Sequence, residues 1–492
     1  MGQLRQLASQ TVVYGASSVL GRVLNYLLVP LYTAVFSPED YGVVTELYAF
    51  VAFLNIVYTY GFETAYFRFA TKSNDARHYF NVAQTSLIIT SVLFSGTLVL
   101  FSQDIASLLE YPGQGKYVVW LALVLAIDAV VAVPFARLRL EGKALRFATF
   151  KLSNIGLNIA LNIFFLVFCP WWLAQFPASW VGLVYFPELG VGYVFISNLI
   201  ANGFYLLFFA PWLVRLKLSM GRDWKLMMLY ATPLLVMGFA GVTNEMLSRV
   251  LLKYWLPENF YPGQSNQEIL GVFGACYKLS VFMTLAVQAF RYAFEPFFFS
   301  KSADKNSPEL FAKVMHGFII FGSFSWLVIS LVLQDLAPIF LRQPGYLSAL
   351  DIVPWLLGGG LFLGVYFNLS VWYKLTDQTK YGAWITIIGS LVTIGLNFAL
   401  IPVLGYMGSA MTTFFSYLLM VCLSYVIGQK HYFVPYKTGK GLFYMALAGL
   451  SILAFYFCDL CQEYKYFSAT GLIALYVVLV WLLDFRKQTF NK

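Results

Sequence analysis

An all-α integral membrane protein of about fourteen transmembrane helices is the fold class that this sequence predicts, on three observations. Of its 492 residues, 60% are hydrophobic and 11% are charged, with a mean hydropathy of +0.72, a composition far too apolar for a soluble domain. Apolar stretches of about 20 residues or more recur along the whole chain, enough to cross a hydrocarbon core of about 30 Å as helices, whereas barrel strands would be shorter and would alternate. The third observation is the placement of the 32 Lys and Arg residues, which gather at every second span end.

The spans fall at 10–35, 42–67, 79–102, 117–136, 149–169, 190–211, 226–255, 269–298, 314–334, 349–373, 381–402, 405–428, 441–458 and 466–485. The polar start from Gly2 to Gln10 runs into the first span without a small-residue cleavage site, so this helix is read as retained. Ser37-Pro38-Glu39-Asp40-Tyr41-Gly42 opens the second span. The longest outer connection, Pro170 to Leu189, is rich in Trp and Pro and holds one charge, Glu188. Pro233, Pro296 and Pro354 lie in or beside spans of the second half, where a proline is expected to bend its helix. Gly358-Gly359-Gly360 sits inside an apolar span with no following Lys-Ser/Thr, so it reads as a close-packing surface, not a nucleotide loop.

With the N-terminus in the cytoplasm, 24 cations fall on the inner side, only Lys116, Arg342 and Lys465 fall outside, and five lie within spans. That bias is what the positive-inside rule requires, and one helix more or fewer would scramble it. The net charge of +9 is therefore mostly a topology signal and not a nucleic-acid footprint. The five cysteines, Cys169, Cys276, Cys422, Cys458 and Cys461, form no disulfide framework. Cys458 and Cys461 have C-x-x-C spacing but no second ligand pair. His78, His316 and His431 sit at cytoplasmic helix ends, and with no zinc motif or catalytic constellation the expectation is a non-enzyme without a cofactor.

An internal repeat organises the spans. Ile155-Gly156-Leu157-Asn158-Ile159-Ala160-Leu161 and Ile394-Gly395-Leu396-Asn397-Phe398-Ala399-Leu400 agree at six of seven positions, and each opens the fifth helix of a six-helix half. A second echo pairs Lys72–Phe80 with Lys301–Phe311. Six helices separate the copies, so the halves run in parallel, as in transporters whose two bundles rock about a central substrate. The expected organisation is a six-helix bundle over 1–215, a second over 216–430, and two added helices over 431–492.

The interior charges carry the chemistry. The cations are Arg22 in the first span, Arg249 and Lys253 in the seventh, and Lys278 and Arg291 in the eighth; the acids are Glu46, Glu63, Asp128, Glu245 and Glu295. Each ionised residue at a helix centre costs about 2.5 to 3.5 kcal/mol on insertion scales, so five unpaired cations would cost roughly 10 to 15 kcal/mol, as much as a protein's whole stability. They must face a wet cavity, pair with acids, or snorkel. Glu245, Arg249 and Lys253 lie at i, i+4 and i+8 on one helical face, and Arg291 and Glu295 repeat the i, i+4 spacing, so intrahelical pairing competes with a substrate role; Lys253 can also snorkel. Arg22 has Ser18, Val19, Asn25 and Tyr26 at i±3 and i±4 and so no local acid, which makes it the foremost substrate contact. Arg22 and Arg249 correspond by helix index and are expected to oppose each other across the repeat, two guanidiniums suited to phosphate oxygens. Asp128, Glu63, Glu245 and Glu295 are read as counter-ions or as coupling sites for H+ or Na+. Asn154, Asn158 and Asn162 form a stripe that either meets sugar hydroxyls or, with the larger prior, glues helices together.

Twelve repeated spans plus two, a mid-helix Arg22 and the Pro38-Glu39-Asp40-Tyr41-Gly42 turn together resemble the polysaccharide-transporter flippases, relatives of multidrug-and-toxin exporters and of the lipid II flippase. The resemblance implies that an undecaprenyl-diphosphate-linked oligosaccharide, such as an O-antigen or capsule unit, crosses from the cytoplasmic to the periplasmic leaflet of a bacterial inner membrane. It implies alternating access through a cationic cavity, with Arg22, Arg249, Arg291, Lys278 and Lys253 as substrate contacts, membrane lipids around the last two helices and a polysaccharide polymerase as possible partner. The competing readings are a multidrug or cation antiporter of the same fold, which would need a net acidic cavity, a lipid II flippase, and an integral-membrane glycosyltransferase or polymerase, which would need a large outer domain.

Overall fold

The computed structural model describes residues 2–73, 75–301 and 307–485, with the side chains of 2–13, 293, 295–301 and 485 outside the description. Every described regular element is helical. Thirteen described helices are long and apolar enough to span a membrane: α1 Tyr14–Val35, α2 Pro38–Lys72, α3 Ala76–Leu100, α4 Gly115–Leu140, α5 Ala144–Gln175, α6 Gly192–Val214, α7 Arg222–Trp255, then α9 Ser307–Leu331, α10 Ile352–Leu375, α11 Thr379–Leu404, α12 Tyr406–His431, α13 Thr438–Phe457 and α14 Lys465–Asp484. A bent pair, Asn266–Leu279 and Val281–Tyr292, supplies α8. Thirteen of the fourteen expected spans are matched by single helices and the eighth by this bent pair, a broken span or a re-entrant loop, and the chain is a multi-pass membrane protein.

Local chemistry explains the ends and breaks. In α2, Ser37 is the N-cap, its hydroxyl accepting from Asp40 N at 3.1 Å, with Pro38 in the first turn and Glu39 and Asp40 facing the positive end of the helix dipole. In α1 the helix breaks at Leu27, three residues before Pro30, whose ring cannot fit against the carbonyl four residues back. The bend beyond 40° is at Ser280, where α8 turns by 42°. Pro233 lies inside one continuous helix, α7, and Pro354 occupies the first turn of α10, where a missing N–H costs nothing.

Glycines mark close approaches. A Cβ on Gly358 would lie 2.7 Å from the Phe414 ring, and one on Gly360 would lie 3.0 Å from Met283, so the triple-glycine run seats α10 against α12 and α8. In α2, Tyr60 and Gly61 have φ of 31° and 75°, and a Cβ on Gly61 would come within 3.1 Å of Leu234 in α7.

The chain divides into two compact units, residues 1–250 and 251–492. Most of α7 belongs to the first, through a cluster of Tyr60, Phe62, Tyr66, Met227 and Ala231, a Trp224 Nε1–H bond to Ser86 Oγ at 2.8 Å, a His78–Asp223 contact at 2.9 Å, and the Arg68 guanidinium 4.2 Å from the Tyr230 ring.

Candidate functional site

In the first unit, α1 and α5 pack so closely that a Cβ on Gly21 would lie 2.7 Å from Ile155 Cδ1. Beside this contact lies a cavity of about 150 Å³ lined by Arg22, Lys151, Ser17, Ser18, Asn25 and Phe147 among others, with no carboxylate among the described residues of its wall. Arg22 is exposed to it. The two serine hydroxyls donate to Tyr14 O at 3.0 and 2.8 Å, which leaves the guanidinium and the ammonium as the charged groups of the wall.

Lys151 belongs to the 24 cations that the sequence places on the inner side; α5 begins at Ala144, so Lys151 stands seven residues into that helix, about 10 Å along its axis. Its Nζ sits 4.3 Å from the centre of the Phe135 ring and 5.4 Å from that of Tyr205, within electrostatic reach of Asp128, Glu63 and Arg139. The signal available in the sequence was its position three residues before Asn154, on the face of the asparagine stripe.

Asp128 and Asn154 of that stripe are joined through Asn202. Asn202 Nδ2 donates to Asp128 Oδ1 at 2.9 Å, and Asn154 Nδ2 donates to Asn202 Oδ1 at 3.0 Å. Tyr32 donates to Asn162 Oδ1 at 2.9 Å, and Asn198 Nδ2 to Tyr48 at 2.8 Å. The asparagines thus tie α5 to α6 and α1, as the helix-glue reading expected. Glu63 pairs with Arg139, and buried Glu46 accepts from Tyr111.

Among the described residues, none of the other predicted ones is in the lining of this cavity. Arg249 is only 8% exposed, donates to Met246 Sδ and lies within electrostatic reach of Tyr41, while Glu245, one turn earlier, is exposed. Neither lines the wall that Arg22 shares with Lys151. Lys253 and Arg291, of the second unit, meet aromatic faces: Nζ is 5.0 Å from the Tyr254 ring, and the guanidinium is 4.9 Å from the Phe367 ring. Lys278 is exposed in the last turn before the α8 bend, where a cation favours the helix dipole. The side chain of Glu295 lies outside the described residues, as do those of Arg5 and Lys301 and the whole of Lys305, Arg486, Lys487 and Lys492.

The second unit holds a different space. An apolar groove of about 750 Å³ runs between α9, α10, α12 and α13, with Met315, Ile319, Leu418 and Met445 in its wall, and meets a further cavity of about 500 Å³ at Trp326, Phe414, Gly449 and Leu453. At one end, His316, Lys437 and Thr438 form the rim. Behind it, Asp484 accepts from Lys440 Nζ at 2.5 Å and Tyr444 at 2.6 Å, and contacts His316 Nε2 at 2.9 Å. Asp484 ends α14 with its side chain 12% exposed. No group of three or more His, Cys, Asp or Glu residues with metal-binding spacing occurs among the described residues.

A sequence model of the polysaccharide biosynthesis protein family matches residues 34–306, more than half of the chain. The chain belongs to that family. No curated protein matches significantly, but solved structures do. The lipid II flippase MurJ in an inward closed conformation superposes with a TM-score of 0.70 at 14% identity, over 96% of this chain and 99% of its own. An inward-facing multidrug resistance MATE family transporter of the MOP superfamily gives 0.65 at 14% identity, over 85% and 94%. A MOP-superfamily transporter from Pyrococcus furiosus, described as having a binding pocket of reversed polarity, gives 0.52 at 14% identity, over 87% and 94%. The polysaccharide biosynthesis family member thus has the MOP-superfamily fold.

Proposed function

We propose that the protein is a flippase that moves a polyprenyl-diphosphate-linked oligosaccharide, of the undecaprenyl class, from the cytoplasmic to the periplasmic leaflet. The observation that carries this reading is the cavity in which Arg22 and Lys151 share one wall without a carboxylate, because two cations inside a membrane span are costly until an anion arrives. Arg presents a planar fork to phosphate oxygens and Lys a point charge. Family membership supports a lipid-linked glycan as cargo. The groove along α13 supports a lipid tail, being almost wholly apolar beside a helix of 20 residues, about the thickness of the hydrocarbon core.

Such a carrier sits in the bacterial inner membrane with both termini cytoplasmic, as the cation bias demands, and needs no catalytic centre. The duplicated halves, 1–215 and 216–430, would rock about the head group, with 431–492 serving the tail. A head group with about two negative charges gains about 2.3 kcal/mol per charge per 100 mV on moving outward, so the membrane potential alone favours this direction. A multidrug exporter of organic cations fits poorly against a wall of two cations. The test is flipping of a fluorescent polyprenyl-diphosphate sugar in liposomes by native protein, Arg22→Ala and Arg249→Ala. Loss in Arg22→Ala supports the reading, and undiminished flipping in both variants overturns it.

A further inference from the structure

We propose that Lys151 is the second cation of the anion site, and that Asp128 takes up a proton when an anionic diphosphate fills it. This rests on the reading of the cavity as a phosphate site. Lys151 lines the cavity with Arg22, and among the described residues it has no carboxylate at ion-pair distance. Its Nζ instead rests over Phe135 and Tyr205, with Asp128 and Glu63 acting on it from further away. Glu63 already has Arg139. Asp128 is held by a neutral amide, that of Asn202, which is oriented in turn by Asn154, one turn from Lys151 on the same helix.

The titratable groups around this space come from four helices besides α4, which carries Asp128 and Arg139. They are Tyr14 and Arg22 from α1, Tyr48 and Glu63 from α2, Lys151 from α5 and Tyr205 from α6. With the tyrosines neutral, three cations face two carboxylates, which leaves one surplus positive charge. A diphosphate diester with about two negative charges turns that into one surplus negative charge inside the membrane, where uncompensated charge is costly. One proton on a carboxylate restores neutrality. Asp128 takes it because Glu63 is already engaged by the Arg139 guanidinium, whereas Asp128 has an amide donor, a weaker partner for a carboxylate. The proton then acts as a neutraliser, and the charge carried outward falls from about two to about one.

The probe is a soluble P1,P2-dialkyl diphosphate, whose charges do not titrate near neutrality. Binding to the purified full chain in detergent is followed calorimetrically at pH 7 in two buffers of different ionisation enthalpy, which counts protons exchanged. Native protein should take up about one proton per molecule bound. Asp128→Asn should bind at least as tightly and take up none; Lys151→Gln should bind roughly tenfold or more weakly, with Lys151→Arg restoring most of the affinity and so excluding misfolding as the cause. Native affinity in Lys151→Gln would overturn the second-cation role, and unchanged proton uptake in Asp128→Asn would overturn the proton role, while loss of binding in Arg22→Gln leaves the phosphate-site reading standing in both cases. If Arg22→Gln and Lys151→Gln both bind as the native protein does, the phosphate-site reading itself falls.

Discussion

Helices α5 and α11 carry a seven-residue signature that agrees at six positions, 239 residues apart, yet they differ in what their polar groups reach. At that offset Lys151, Asn154, Asn158 and Asn162 of α5 correspond in sequence to Ser390, Thr393, Asn397 and Ile401 of α11. In α11 the polar groups turn back on their own helix: Asn397 Nδ2 donates to Thr393 O at 2.8 Å, and Ser390 Oγ donates to Ile387 O at 2.8 Å. In α5 Asn162 Nδ2 likewise donates back, to Asn158 O at 2.8 Å, but Asn154 donates to Asn202 of α6, Asn162 Oδ1 accepts from Tyr32 of α1, and Lys151 lines the cavity. The shared signature thus repeats the phase of a polar stripe on helices of 32 and 26 residues, while substitution along that stripe decides whether a span is a bystander or the wall of a charged site. The same division separates the two units, one with a small cationic cavity and the other with a large apolar groove.

The comparison can be broken most directly at Arg22. Arg22→Ala should lower flipping of a polyprenyl-diphosphate sugar in liposomes by about two orders of magnitude, since a charge-assisted hydrogen bond is worth about 1.5 to 3 kcal/mol and a fork supplies two; activity within threefold of native would place the site elsewhere. The largest stability effect belongs to the second unit. Asp484→Ala leaves Lys440 and His316 without their shared carboxylate and should cost about 3 kcal/mol, read as a fall in thermal midpoint in detergent. A narrower groove sharpens the contrast between units: Met445→Trp should slow flipping of a long-chain substrate about tenfold and leave binding of a soluble diphosphate unchanged. Copying α11 into α5 with Asn154→Thr removes one interhelical bond, for a loss of about 1 kcal/mol in stability and a weaker hold on Asp128.

The smallest effect lies in the α4–α5 loop, where burial of Glu141 opposes its charge but hydrogen bonds from Lys143 and Arg137 outweigh this and hold its carboxyl below the ordinary range. Glu141→Gln should cost under about 1 kcal/mol at neutral pH. A group with a depressed native pKa stabilises above its unfolded value and loses that contribution as pH falls through the native one. The gap between native and variant thermal midpoints should therefore close on acidification.

The membrane spans were legible because each is a local property: about 20 apolar residues cross the hydrocarbon core whatever their neighbours are. Arg22 was legible for a related reason, since the absence of an acid within one turn can be read along a single helix. Lys151 escaped because a difference of five residues in where α5 starts, 149 expected against Ala144 found, moved it from an anchoring position to an interior one. Arg249 shows the opposite limit, as helix index predicted a partner for Arg22 but not that its side chain turns to Met246.

By itself the sequence determined the number, order and phase of the spans and the sign of the charge within them, because desolvation acts on each residue where it stands. Which charges share a space was decided only by the tertiary structure. Gly21 against Ile155 brings α1 onto α5, so that Arg22 and Lys151 line one cavity, and the Asn154–Asn202 bond orients the amide that holds Asp128, within electrostatic reach of Lys151. These contacts join residues from about 50 to 130 positions apart, and no pattern along one helix encodes them.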